Sequence, residues 1–297
     1  MYEKYLTRHE KLLLSLRALW IDEGYSFFRM RNFEEYDFYA KNKDFLDSKS
    51  IISFRDIDGS LLALKPDVTL SLVKRSNENG KIEKKYYSES VYRVPPFSEY
   101  FKEITQTGLE CLGPLKDDDI ISVVSLANRS LKKVSSASIL TISHMKVLDS
   151  LTEGLFEDEK KELLSLVSKK NISEIKAFGE ENERRKECAL SFLSLIDGKK
   201  TNNELISILE EKKIEDKVID ELLNVISLDS SIVLDFSFSG AMGYYNGIVM
   251  KGYIEKLPTS ILSGGEYDIL LQRMGKKENK AIGFAFYLNE LEDMADD

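Results

Sequence analysis

The chain has 297 residues, 42% of them hydrophobic and 31% charged, and a net charge of −9 at pH 7. That length accommodates one large domain with a full core and a small insertion, and the composition is ordinary for a soluble globular protein. The acidic balance argues against a dedicated RNA binder, no apolar run approaches the ~20 residues of a membrane span, and Met1-Tyr2-Glu3-Lys4 lacks a signal-peptide pattern, so a cytoplasmic location is expected.

Tyr5, Leu6, His9, Leu12, Leu13, Leu16, Leu19 and Trp20 recur at helical spacing, and Gly24 is a natural stop. His9 lies on or near the apolar face, where a structural role is expected. From Tyr25 to Tyr39 the chain is dense in aromatics, including Phe27, Phe28, Phe33, Tyr36 and Phe38. With no basic cluster beside them, these fit core and subunit contacts better than base stacking. Asp58-Gly59 is a hairpin signal before a strand from Ser60 into Lys65. Pro66-Asp67-Val68-Thr69 then leads into a helical run, with the Thr69 hydroxyl as candidate cap. After a polar connection from Asn77 to Lys85, alternation predicts strands from Tyr86 to Val94 and Glu103 to Gly113. A carboxylate, Asp67, at a strand end beside a long hairpin suits a ligand platform as well as an ordinary helix entry.

Cys111, among apolar neighbours, reads as a buried structural thiol; with Cys188, His9 and His144 as the only other Cys and His residues, no zinc site can be assembled from these types. Lys116 to Asp119 forms a turn before a helix carrying Ile120, Ile121, Val124, Leu126, Ala127 and Leu131. A strand from Ile139 to Ser143 ends at His144, which has no acidic or nucleophilic partner nearby in sequence. Residues 150–229 turn to charged helices with heptad-like leucines, which predicts a helical insertion dividing a core formed by 1–149 and 230–297. Ile232, Leu234, Phe236 and Phe238 alternate as a strand, answered by another from Gly247 to Glu255.

Several of these stretches, taken together, resemble the catalytic core of histidyl-tRNA synthetase, a class II aminoacyl-tRNA synthetase. They are Leu64-Lys65-Pro66-Asp67-Val68-Thr69, Val91-Tyr92-Arg93, Gln106-Thr107-Gly108-Leu109-Glu110, Tyr244-Tyr245-Asn246-Gly247 and Leu262-Ser263-Gly264-Gly265-Glu266-Tyr267-Asp268. The likeness spans nearly the whole chain and is weakest in 150–229. It implies an α/β (α+β) fold of the class II aminoacyl-tRNA synthetase type, an antiparallel sheet flanked by helices, with a small helical insertion. Asp67 and Val68, where the synthetases carry Glu and Gly, are similar to the family's non-catalytic relative, the regulatory subunit of ATP phosphoribosyltransferase. Three arginines of the synthetase motifs fall on Gly240, Glu266 and Glu290, and the loop after Arg93 carries Pro95-Pro96 where the synthetases are rich in Arg, Gln and Gly. The chain also ends at Asp297, shortly after the last motif, so an anticodon-binding domain is not expected.

The resemblance therefore implies a non-enzymatic chain with no catalytic residues and no cofactor. Its partner would be the short catalytic subunit that joins ATP to phosphoribosyl pyrophosphate in the first step of histidine biosynthesis. The regulatory chain would be required for activity and for inhibition by histidine, in a hetero-oligomer whose homodimer seam is the aromatic region after Gly24. The implied histidine pocket comprises Asp67, Val68, Thr69, Arg93, Gln106, Glu110, Tyr244 and Tyr245. The alternative is a divergent synthetase-like enzyme that activates an amino acid with ATP and uses Arg55, Lys65, Arg93 or Lys102 as replacement cations. A third reading is a free-standing amino-acid sensor.

Overall fold

In the computed structural model, residues 3–42, 45, 51–76, 80–94, 99–238 and 244–289 are described. Helix α1 (Arg8–Asp22) starts at a capping box: the Thr7 hydroxyl accepts from the Glu10 N–H at 3.2 Å, and the Glu10 carboxylate accepts from the Thr7 N–H at 2.8 Å. Its buried Leu16 and Trp20 face helix α4 (Asp117–Val134), where the Trp20 indole N–H donates to the Ser130 hydroxyl at 2.9 Å. Trp20→Phe keeps an aromatic six-membered ring but loses the fused pyrrole edge and leaves that hydroxyl without its donor. A loss of about 1–2 kcal/mol is expected, read as a lowered urea midpoint at unchanged slope.

The main sheet has eight strands in the order β1-β5-β6-β11-β10-β9-β7-β8. These are β1 (Ser26–Phe27), β5 (Glu83–Arg93), β6 (Lys102–Gly113), β7 (Ser138–His144), β8 (Ile232–Leu234), β9 (Ile248–Ile254), β10 (Leu262–Glu266) and β11 (Lys280–Tyr287). The β5/β6 hairpin is longer than the predicted strands, its paired residues running from Glu83↔Leu112 to Arg93↔Lys102. The interior pairings are antiparallel, and the two edge pairings, β1 with β5 and β7 with β8, are parallel. The expectation that 232–238 forms one strand answered by β9 needs correction. The Asp235 N–H bonds to the Ile142 carbonyl, and the Asp235 side chain then accepts from the Ser237 N–H at 2.9 Å, turning the chain. β8 therefore stops at Leu234, and β7 lies between it and β9.

Helices cover both faces because consecutive strand residues point to opposite sides. On one face α1, α4 and α5 (Met145–Leu151) pack with Leu109, Cys111, Leu262, Ile282 and Phe284. On the other, α3 (Val68–Arg75) and α11 (Asp268–Arg273) pack with Leu112, Tyr267 and Ala281, and with Tyr39 of α2 (Tyr36–Lys41). A separate three-stranded sheet, β2 (Phe33–Glu35), β4 (Leu61–Leu64) and β3 (Ser53–Arg55), holds the predicted Asp58-Gly59 turn between β3 and β4. Phe33 and Phe54 meet edge to face at 5.1 Å on its exposed side.

Between β7 and β8 the chain forms α5 and then α6 (Glu157–Ser168), α7 (Ile172–Gly179), α8 (Glu183–Ile196), α9 (Asn202–Glu211) and α10 (Asp216–Ser227). This long crossover is what allows β7 and β8 to run parallel. The buried faces of these helices are continuous with the core under the sheet. Charged residues of 157–186 lie largely on the surface, as the sequence suggests, although Glu159 bridges Arg184 and Arg185 at 2.8 and 3.1 Å. Among the described residues, no helix is long and apolar enough to cross a membrane.

Candidate functional site

Glu110 lies in the interior of β6, where alternation places it on the α3/α11 face together with Gln106 and Gly108. Its neighbour across β11 is Gly283, and a Cβ there would stand 1.7 Å from the Glu110 Oε2. The absent side chain is what lets the carboxylate lie against the sheet. Oε1 accepts from the Thr69 hydroxyl at 2.9 Å, and Oε2 accepts from the Tyr267 hydroxyl at 2.7 Å. Burial pushes the Glu110 pKa up to about 8, and the hydroxyl donors pull only partly against it.

Asp67 stands at the entry of α3. Its Oδ1 caps the helix by accepting from the Leu70 N–H at 2.8 Å, while Oδ2 lies 3.7 Å from the Arg93 guanidinium. Asp67, not Thr69, is thus the cap, which frees the Thr69 hydroxyl for Glu110. Lys65, buried at the end of β4, is paired with Glu89 of β5, whose other oxygen accepts from the Met30 N–H.

Tyr244, Tyr245 and Tyr267 form an aromatic wall, with ring centroids 4.8 Å apart between Tyr244 and Tyr245 and 5.8 Å between Tyr244 and Tyr267. Burial raises all three hydroxyls above their ordinary pKa, so they remain proton donors at neutral pH. Reciprocal hydrogen bonds hold the stretches bearing these tyrosines together. Asn246 donates to the Asp268 carboxylate at 3.1 Å and accepts from the Asp268 N–H at 2.7 Å.

Of the eight residues expected at the site, Asp67, Thr69, Glu110, Tyr244 and Tyr245 converge. Arg93 stands beside Asp67, and Gln106 is buried on the same strand face as Glu110. Val68 packs beneath, in an apolar cluster with Met30, Tyr87 and Val91. Tyr267, which donates to Glu110, and Tyr87, buried on the neighbouring strand, escaped the sequence reading. The alternation of β5 was the available signal for Tyr87, and the place of Tyr267 directly before Asp268 in its motif was the signal for the other.

Glu266 departs from expectation. It precedes Tyr267 on the strand and therefore projects to the other face, near His144 and Glu221, so its charge does not enter the tyrosine pocket. Gly240, Glu290 and Pro95-Pro96 lie outside the described residues. Of the remaining cations named as replacements, Arg55 donates to the Gly59 carbonyl in its own hairpin and Lys102 is exposed at the start of β6.

The arrangement sets a buried carboxyl group against tyrosine hydroxyls and rings. A carboxyl group with a pKa near neutrality both donates and accepts, and it ionises when a cationic ring or ammonium enters beside it. Cys111 points to the opposite face from Glu110, and burial pushes its thiol up to about 11, away from nucleophilic reactivity.

The family model described as histidyl-tRNA synthetase matches residues 1–291. The chain belongs to the histidyl-tRNA synthetase family. Within this family it is 28% identical over 294 residues to a protein of Oceanobacillus iheyensis named ATP phosphoribosyltransferase regulatory subunit, a match covering 90% of this chain and 69% of that one. It is 25% identical over 296 residues to the histidine–tRNA ligase of Methanocaldococcus jannaschii, covering 95% of this chain and 70% of that one. In fold it is similar to a chain of the ATP phosphoribosyl transferase complex of Thermotoga maritima, with a TM-score of 0.74, 19% identity, and coverage of 95% and 97% of the two chains. The fold is thus that of the class II synthetases, as the motifs imply.

Proposed function

We propose that this chain is the regulatory, non-catalytic subunit of an ATP phosphoribosyltransferase and acts in the cytoplasm on a separate catalytic subunit. In this role it makes the assembly active and reports histidine to it. The observation that carries the reading is the charge state of the pocket. The carboxylate and tyrosines that would recognise an amino acid are in place, whereas Lys65, near Asp67 in sequence, and Arg93, beside it in space, face carboxylates of Glu89 and Asp67. A synthetase stabilises charge developing on the α-phosphate of ATP with preorganised cations, and losing one such donor costs about 10²–10³ in rate. The names of relatives such as that of Oceanobacillus iheyensis support the same role.

Asp67, Val68, Thr69, Arg93, Gln106, Glu110, Tyr244 and Tyr245 form the histidine pocket in this proposal, and the exposed aromatic side of the small sheet lies in the homodimer seam. Residues 150–229 act as an insertion between the two parts of the core. Histidine shifts the assembly because it binds two states of the complex with different affinity; equal affinity would shift nothing.

The test is phosphoribosyl-ATP formation by the short catalytic subunit, with and without this chain, across a histidine titration. Activation on mixing, with inhibition by histidine that weakens in Asp67→Ala, is the expected result. Activation with inhibition unchanged in that variant would keep the role and move the histidine site. No effect on the transferase, together with histidine-dependent ATP–pyrophosphate exchange by this chain alone, would overturn the proposal in favour of a ligase.

A further inference from the structure

On the opposite face of the sheet from Glu110, the ends of β7 and β10, the start of β9, and helices α4 and α10 line a cavity of about 250 Å³. Its floor is formed by His144, Glu221 and Glu266, whose polar atoms lie within 4.8 Å of one another. His144 is fully buried and Glu266 is 8% exposed. The Glu266 Oε1 accepts from the Ile248 N–H at 2.7 Å, and Oε2 has no donor among the described residues. Gly247 makes the seat for this carboxylate, since a Cβ there would meet Oε1 at 2.3 Å.

The imidazole decides which ligand the floor accepts. His144 Nδ1 accepts from the Lys146 N–H at 3.2 Å, which leaves Nε2 to donate to Glu221 at 3.0 Å. Both ring nitrogens are engaged, and a metal ion on Nε2 would have to displace the first bond as well as the second. The same Nε2 bond holds the Glu221 carboxyl below its usual range and therefore ionised. What the floor offers is the unmet Glu266 Oε2 and the Glu221 Oε1, the latter 3.7 Å from the Lys217 ammonium. Asp268, also at the cavity, is already satisfied by Asn246 and the Ala281 N–H. At the rim Lys217 and Lys280 share Asp117 at 3.7 and 3.8 Å, and Lys146 also lines the cavity.

We propose that this cavity binds a small primary amine, its ammonium donating to Glu266 and Glu221 inside and an anionic far end meeting Lys217 and Lys280 at the rim. The volume is several times the ~30 Å³ that a water molecule occupies in the liquid, enough for a short aliphatic chain. Because burial pushes the Glu266 pKa up to about 7, pH 8 is the condition at which the floor carries its full charge.

The experiment is saturation-transfer NMR on the full chain at pH 8 with propylamine, β-alanine and propionate as probes. Transfer to both amines, tighter for β-alanine, and none to propionate is expected. Glu266→Gln keeps an acceptor for the Ile248 N–H but turns a donor into the cavity. It should weaken the amines about tenfold or more with circular dichroism unchanged, while Asp67→Ala, in the other pocket, leaves them bound. Three results would overturn the proposal: no transfer to the amines, amine binding indifferent to Glu266→Gln, or stoichiometric Zn²⁺ binding that is lost in His144→Ala.

Discussion

Glu110→Gln is expected to weaken histidine inhibition of the mixed transferase by about ten- to a hundredfold, the worth of one charge-assisted hydrogen bond, while activation on mixing persists. Glutamine is the same size, and the Thr69 and Tyr267 hydroxyls that now donate to the carboxylate can rotate to accept from the amide. The pocket therefore survives while its ability to ionise against a cation is removed. A second readout separates loss of charge from loss of structure. The folded-state pKa of Glu110 is raised to about 8, so its contribution to stability is present below its unfolded value and is lost as pH rises through about 8. Between pH 5 and 8 the native chain should lose stability on the order of a few kcal/mol from this group. The variant should be flatter, retaining the smaller decline from Glu266, raised to about 7. Urea midpoints at four pH values decide it, and parallel slopes for the two proteins would sink the assignment.

Gly283→Ala should be among the most damaging single-methyl additions in the sheet. The new Cβ would stand 1.7 Å from the Glu110 Oε2 and 2.6 Å from the Leu109 carbonyl, and the second of these is backbone in a paired strand. Rotation of the Glu110 side chain would relieve the first contact only by breaking its bonds to Thr69 and Tyr267. A loss of about 3 kcal/mol or more is expected, at the upper end for overpacking. Gly275→Ala is the comparison. Gly275 has φ +87° with nothing within 4 Å of a Cβ, so only the backbone conformation is penalised there, at about 1 kcal/mol. Thermal melts of both variants should order them Gly275 above Gly283; the reverse order would mean that β6 and β11 separate easily.

Strands β5, β6 and β7 were legible in the sequence because each alternates over enough residues to fix a period. β8 was overextended for a physical reason: Phe236 and Phe238 are both buried, as strand residues would be, but they reach the core from a turn made by Asp235. The gathering of Asp67, Thr69 and Glu110 was legible only through family motifs. No local rule brings residues 67 and 110 together, and Thr69 read locally is a cap that Asp67 in fact supplies. His144 has no local partner for the same reason, since Glu221 reaches it across 77 residues of intervening helices. Charge at position 266 was readable, but the side of the sheet it serves depends on strand parity relative to Tyr267.

That parity ties two side-chain clusters to one piece of backbone. Glu266 and Tyr267 flank a single peptide plane, which is rigid at ordinary temperature, and they project to opposite sides of the sheet, Glu266 beside His144 and Glu221 and Tyr267 onto Glu110. A sliding of the strand, or a small roll about its axis, carries the carboxylate on one side and the tyrosine on the other together. Displacement of either side chain along the strand thus displaces the other, with no chain of intermediate side chains between them.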